Sequence, residues 1–229
     1  MKTRAALIHV LTASGLIPII LAMQALSAGD AYATLFWLAI AGVIDGIDGP
    51  LARRFEVSKH LPDFDGAILD HIIDYLSYCF VPALMLIRFE MVPQGWGVAA
   101  ASLICMASLY TFANKQAKTE ENDFRGFPAL WNLAVFYMLI THSAQETNMA
   151  LIVLLSVLVF APIRTLHPVR VEAGRKFTLP MVIVWLGFIF AYLVQGPIGL
   201  PHWADGIFAV LSFYLLGLSL WRSVKFAGQ

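Results

Sequence analysis

Apolar residues run through the chain in long uninterrupted blocks separated by short polar stretches. A helix that crosses a bilayer needs about 20 predominantly apolar residues. Eight blocks approach that length, at residues 7–27, 31–51, 66–88, 94–114, 127–143, 149–166, 178–195 and 204–223. The connections are short and no internal repeat is visible, so the pattern predicts a single domain over residues 1–229. Its expected fold class is all-α, a polytopic membrane bundle with eight transmembrane helices. The start of the chain, "MKTR" before an apolar run, has the form of a signal peptide. The run at residues 5–26 is longer than a signal h-region and many further spans follow, so it reads as a retained first helix.

Composition agrees with this pattern. Hydrophobic residues make up 59% of the chain and charged residues 13%, against about 25% charged in soluble domains. The formal net charge is zero, which gives no bulk attraction to nucleic acid. Cys79 and Cys105 both lie in apolar runs and form no CxxC pattern, so they read as packing residues.

Charge adds an orientation. Loops facing the cytoplasm carry an excess of Lys and Arg. Taking alternate connections, one side holds Lys2, Arg4, Arg53, Arg54, Lys59, Lys115, Lys118, Arg125, Arg164, Arg170, Arg175, Lys176, Arg222 and Lys225, and the other holds only Arg88. Both termini are therefore expected in the cytoplasm, with the connection between spans two and three on the same side.

That hairpin carries the candidate chemistry. "DGIDGPLARRFEVSKHLPDFDGAILDHIID", at residues 45–74, places Asp45, Asp48, Asp70 and Asp74 inside segments otherwise suited to lipid. An ionised carboxylate there costs a few kcal/mol at the least. Asp45, Asp48, Gly49 and Ala52 are spaced i, i+3, i+4, i+7; Gly66, Asp70 and Asp74 are spaced i, i+4, i+8. Each set falls near one helix face, so an antiparallel hairpin aims four carboxylates at one point. Their mutual repulsion is relieved by hard divalent cations such as Mg²⁺ or Mn²⁺. Metals held this way clamp diphosphates during displacement at phosphorus, and Arg53 is placed to bind a phosphate oxygen.

These residues resemble the CDP-alcohol phosphotransferase signature, D-x-x-D-G-x-x-A-R followed by G-x-x-x-D-x-x-x-D. Asp45, Asp48, Gly49, Ala52, Arg53, Gly66, Asp70 and Asp74 fill every fixed position. The spacer between Arg53 and Gly66 has twelve residues and is longer than the commoner family form. The long spacer, "HVLTASG" at 9–15, "GFPALWN" at 126–132 and the eight spans resemble the bacterial branch of the family that makes phosphatidylcholine. The resemblance implies transfer of the phosphatidyl group of CDP-diacylglycerol to choline with release of CMP, in the bacterial cytoplasmic (inner) membrane. It implies Mn²⁺ or Mg²⁺, two ions, held by Asp45, Asp48, Asp70 and Asp74. Asp74 is then the general base, although a metal-bound carboxylate is a weak one. Asp48, Gly49, Ala52, Arg53 and Gly66 would form the CDP site. Membrane lipids and a second copy of the chain, in a homodimer, are the implied partners.

A quaternary ammonium is recognised by aromatic faces, often beside a carboxylate. Tyr75 and Tyr78 flank Asp74, while Phe112, Phe127, Trp131 and Glu120 lie near the next cytoplasmic connection, so Tyr75, Tyr78, Glu120 and Trp131 are candidates for the choline site. Thr12, near His9 on the first span, and Arg164 and Arg170 are candidate nucleotide or lipid-phosphate contacts. His71 points about 100° from Asp70 and reads as packing. The signature leaves sister enzymes open, with serine, inositol, glycerol phosphate or inositol phosphate as acceptor. An aromatic prenyltransferase needs a second pair of intramembrane aspartates, which the sequence lacks. An ion or proton transporter needs carboxylates along a path across the membrane, and here they cluster at one end.

Overall fold

The computed structural model describes residues 2–114, 124–165 and 175–225. Among these described residues eleven α-helices follow in chain order: α1 (Lys2–Ser14), α2 (Leu16–Ala28), α3 (Ala31–Arg54), α4 (Val57–His60), α5 (Gly66–Asp74), α6 (Val81–Arg88), α7 (Gly97–Ala113), α8 (Trp131–Ile140), α9 (Gln145–Leu158), α10 (Arg175–Gln195) and α11 (His202–Lys225). A π-helix, Tyr75–Phe80, joins α5 to α6. The two-residue strands β1 (Phe124–Arg125) and β2 (Arg164–Thr165) pair antiparallel as a small clasp.

Five described rods are long and apolar enough to cross a membrane: α1 with α2, α3, α5 through α6, Lys176–Ile198, and His202–Trp221. The protein is thus a multi-pass helical membrane protein. Its outer faces are apolar, with Ile17 and Ile20, Val98 and Met106, and Val210 and Phe213 all exposed. A surface this apolar is compatible with a hydrocarbon solvent. The core lies inside the bundle, around the fully buried Leu38, Met85, Leu86, Ile104, Trp131 and Ile152.

Two spans are shorter than the hydrophobic runs suggest. The run at 127–143 becomes helical only from Trp131 to Ile140, about 15 Å of rise, half of a hydrocarbon core of about 30 Å. Pro128 explains the late start, because it has no N–H and disfavours helix at the residue before it. Polar backbone at this depth must be satisfied by protein. The Gly126 amide donates to the Ile163 carbonyl at 2.8 Å and the Phe127 amide to the Leu158 carbonyl at 3.0 Å. Thr165 Oγ1 donates to the Gly126 carbonyl at 2.8 Å, and the Cys79 thiol to that of Ala129 at 3.4 Å. The run at 149–166 is likewise helical over Gln145–Leu158 and ends where its last turn supports this extended segment.

The hairpin that carries the aspartates is built by side-chain caps. Gly29, at φ 82°, ends α2, and Asp30 accepts the Ala33 amide at 2.8 Å to begin α3. Asp65 accepts the amides of Ala67 and Ile68 at 3.0 and 3.2 Å to begin α5. These caps satisfy amides with no intrahelical partner, so Asp30 and Asp65 have structural work. α1 packs on α3, α4 and α5, with Ala5, Ile8 and Val57 buried between them.

Candidate active site

Asp45 on α3 and Asp70 and Asp74 on α5 converge. Each offers a carboxylate oxygen, all within 4.8 Å of one another, and each residue is half-buried. Carboxylates brought this close repel unless a cation or proton lies among them. The donor set is entirely hard oxygen, without Cys or His, and fits Mg²⁺ or Mn²⁺ better than a softer ion.

Asp48 departs from the expected meeting of four carboxylates. It is only 3% exposed, and the three-carboxylate group does not include it. Three residues along a helix leave two side chains about 60° apart in azimuth, enough to turn Asp48 toward α1. The Thr12 side chain and the Gly49 backbone are the polar groups that favour its ionised form. Thr12 itself is buried and lies 3.3 Å from the Ile8 carbonyl, so the structure places it behind Asp48.

A second side chain holds the group from the other direction. Tyr78 Oη donates to Asp45 Oδ2 at 2.8 Å. This contact depends on Gly42, where a Cβ would come within 3.3 Å of the same hydroxyl. It depends as well on the π-helix, which carries Tyr78. Pro82 follows this wide turn in α6. Proline cannot donate to a carbonyl one turn back and its ring crowds that carbonyl, which favours widening the turn before it. Such turns recur at functional sites.

The remaining candidate residues separate by position. Arg53 is exposed in the last turn of α3. Ala52 is half-buried against the α1–α4 contact. Gly66 is filled from α1, since a Cβ there would lie 2.5 Å from His9 Cε1. The His9 ring packs on Phe64 with centroids 4.5 Å apart, and its Nε2 is buried without a hydrogen-bond partner among the described residues. The structure therefore gives Gly66 a packing reason that its spacing did not reveal.

Tyr75 donates to the Cys105 carbonyl at 3.2 Å, and its ring meets Phe112 edge-on at 5.8 Å. His71 also meets Phe112 edge-on, at 5.8 Å. His71 and Tyr75 are next to Asp70 and Asp74 in sequence, and Phe112, in the last turn of α7, packs against both. Trp131 is fully buried, and its indole N–H donates to Ser108 Oγ at 2.9 Å. It is a core residue joining α7 to α8, with no ring face open to a ligand. Arg164 belongs to β2. Glu120 and Arg170 lie outside the described residues.

Sequence reasoning missed Gly42, the π-helix and the Cys105 carbonyl. Only Pro82 offered a signal, as a helix breaker inside an otherwise continuous span.

The chain as a whole is similar to known proteins. Residues 3–221 match the family model described as CDP-alcohol phosphatidyltransferase. The chain is 38% identical to a phosphatidylcholine synthase of Pseudomonas aeruginosa, covering 98% of this chain and 94% of that protein. It is 36% identical to a phosphatidylcholine synthase of Mesorhizobium japonicum, covering 96% and 82%. A phosphatidylcholine synthase of Borreliella burgdorferi is 38% identical over 78% of this chain and 76% of its own length.

Proposed function

Because the chain belongs to the CDP-alcohol phosphatidyltransferase family, we propose that its converging aspartates carry out the synthesis of phosphatidylcholine from CDP-diacylglycerol and choline, with release of CMP. The observation that carries the reading is the convergence of Asp45, Asp70 and Asp74, three members of a signature whose every fixed position is filled. The names of the relatives support choline as the acceptor.

Asp45, Asp70 and Asp74, with Asp48 behind them, would hold Mn²⁺ or Mg²⁺ as a pair of ions. When bound, the metal neutralises diphosphate charge and makes the phosphorus more open to attack. The chain's own part is positioning and electrostatics. Arg53 binds a phosphate oxygen where α3 reaches the membrane surface. Asp48, Gly49, Ala52 and Gly66 shape the wall on which the nucleotide rests, Gly66 by letting α1 approach. Asp74 accepts the proton of the choline hydroxyl as the new phosphoester bond forms and CMP leaves with the electron pair of the broken bond. Tyr75, Phe112 and His71 offer aromatic edges and faces to the trimethylammonium group, beside the acidic cluster. Tyr78 orients Asp45.

The asymmetry of Lys and Arg supports a site open to the cytoplasm in a bacterial inner membrane. The family resemblance supports a homodimer and one domain along the chain.

The test is transfer of label from choline, serine, inositol or glycerol 3-phosphate into lipid by the purified protein, with CDP-diacylglycerol and Mn²⁺. Labelled lipid from choline alone, abolished by chelation and restored by Mn²⁺ or Mg²⁺, is the expected outcome. Product from a different acceptor alone overturns the substrate and keeps the site.

A further inference from the structure

A second concentration of charge lies at the same end of the bundle, away from the aspartates. Arg4 near the start of α1, Arg54 at the end of α3 and His60 at the end of α4 line a cavity of about 310 Å³ together with Phe55 and Glu56. Arg54 is nine residues beyond Asp45, about 13 Å along the helix axis. The cavity is thus distinct from the carboxylate group.

Three features suit it to a phosphate. Among the described residues, neither arginine has a carboxylate within ion-pair distance. The acidic lining residue is already answered: Lys59 Nζ lies 2.5 Å from Glu56 Oε1, and this pairing holds the Glu56 carboxyl below its ordinary range. Two guanidinium groups and an imidazole from three separate helix ends therefore face the cavity with a net positive charge. Phe55 gives the lining its one apolar side chain, and it packs against the buried Ala5 and Val57.

The height of the cavity says what reaches it. α1 with α2 forms a rod of 27 residues, about 40 Å long, against a hydrocarbon thickness of about 30 Å. Its excess length carries Arg4 into the headgroup layer. Arginine binds phosphate through paired N–H donors, and each basic group near an anionic membrane surface adds about 1 kcal/mol of attraction.

We propose that Arg4, Arg54 and His60 form a phosphate-binding site at the membrane surface, occupied by the headgroup of an anionic phospholipid and separate from the site of transfer. The full-length protein in detergent would be incubated with phosphatidylglycerol, or separately with inorganic phosphate, and bound species counted by native mass spectrometry. The wild type is expected to retain one phosphatidylglycerol. Arg4→Gln with Arg54→Gln should lower its affinity roughly 25-fold, about fivefold for each arginine. Retention of inorganic phosphate, lost in the same double variant, would keep the phosphate site and make a free anion its occupant. Equal binding by the wild type and the double variant overturns the proposal. Should the double variant not fold, Glu56→Gln decides: removing that carboxylate is expected to raise retention, and unchanged or lower retention sinks the idea.

Discussion

Replacing Tyr78 by Phe removes one oxygen atom and leaves the ring. The lost interaction is the 2.8 Å bond from Tyr78 Oη to Asp45 Oδ2, a hydrogen bond to a charged group, of the kind that contributes about 1.5–3 kcal/mol. Residues that orient metal ligands in this way change metal affinity about 10–100-fold when removed. The two ranges agree, since about 1.4 kcal/mol is a factor of ten. Tyr78→Phe is therefore expected to raise the Mn²⁺ concentration for half-maximal transfer by about 10–100-fold, with much of the maximal rate recovered at saturating metal. The assay is a metal titration of labelled choline incorporation, with Mn²⁺ binding followed by electron paramagnetic resonance. A variant with unchanged metal dependence and a raised KM for choline would refute the reasoning and make the hydroxyl a choline contact. Gly42→Ala offers an independent check, because the added methyl lies 3.3 Å from the same oxygen and should shift metal dependence in the same direction.

Asp74→Asn is expected to retain CDP-lipid binding while turnover disappears, measured by nucleotide binding beside single-turnover transfer; parallel loss of both would make Asp74 a ligand first. Gly66→Ala drives a methyl into His9 Cε1 at 2.5 Å and should destabilise the protein by about 1–3 kcal/mol, the usual cost of overpacking. Pairing it with His9→Ala should restore part of the lost melting temperature, and a pair no more stable than the single variant would remove this explanation. Trp131→Phe loses the bond to Ser108 and should lower thermal stability while leaving KM for choline unchanged; a selective rise in that KM would place Trp131 in the substrate site.

The membrane bundle was readable because lipid imposes a simple requirement on composition. Blocks of apolar residues announced the helices, and Asp45, Asp70 and Asp74 announced the site through spacing on adjacent spans. What escaped the sequence was decided by contacts between distant elements. Asp48 belongs to the same run as Asp45, yet Thr12 on α1 claims it. Trp131 looked available beside a cytoplasmic connection, and its partner Ser108 lies on α7. The late start of α8 was written in Pro128, but hydrophobicity alone extended the span past it. Gly66 entered as part of the CDP site, and its close contact with His9 on α1 could not be read from spacing.

The π-helix has a consequence for how the chain can vary in length. Each residue of a helix advances its side chains by about 100°. The aspartates of α5 stand before the wide turn and the buried Val81, Met85 and Leu86 of α6 stand after it. Removing one residue between them would swing the acidic half through most of a right angle or more while the anchored half kept its seat. The connection between Arg54 and Asp65 carries no such phase, because Asp65 restarts its helix with its own cap. Natural relatives should therefore differ in the length of that connection and share one fixed count of residues from the last aspartate to the proline: the former is a slack rope, the latter a gear tooth.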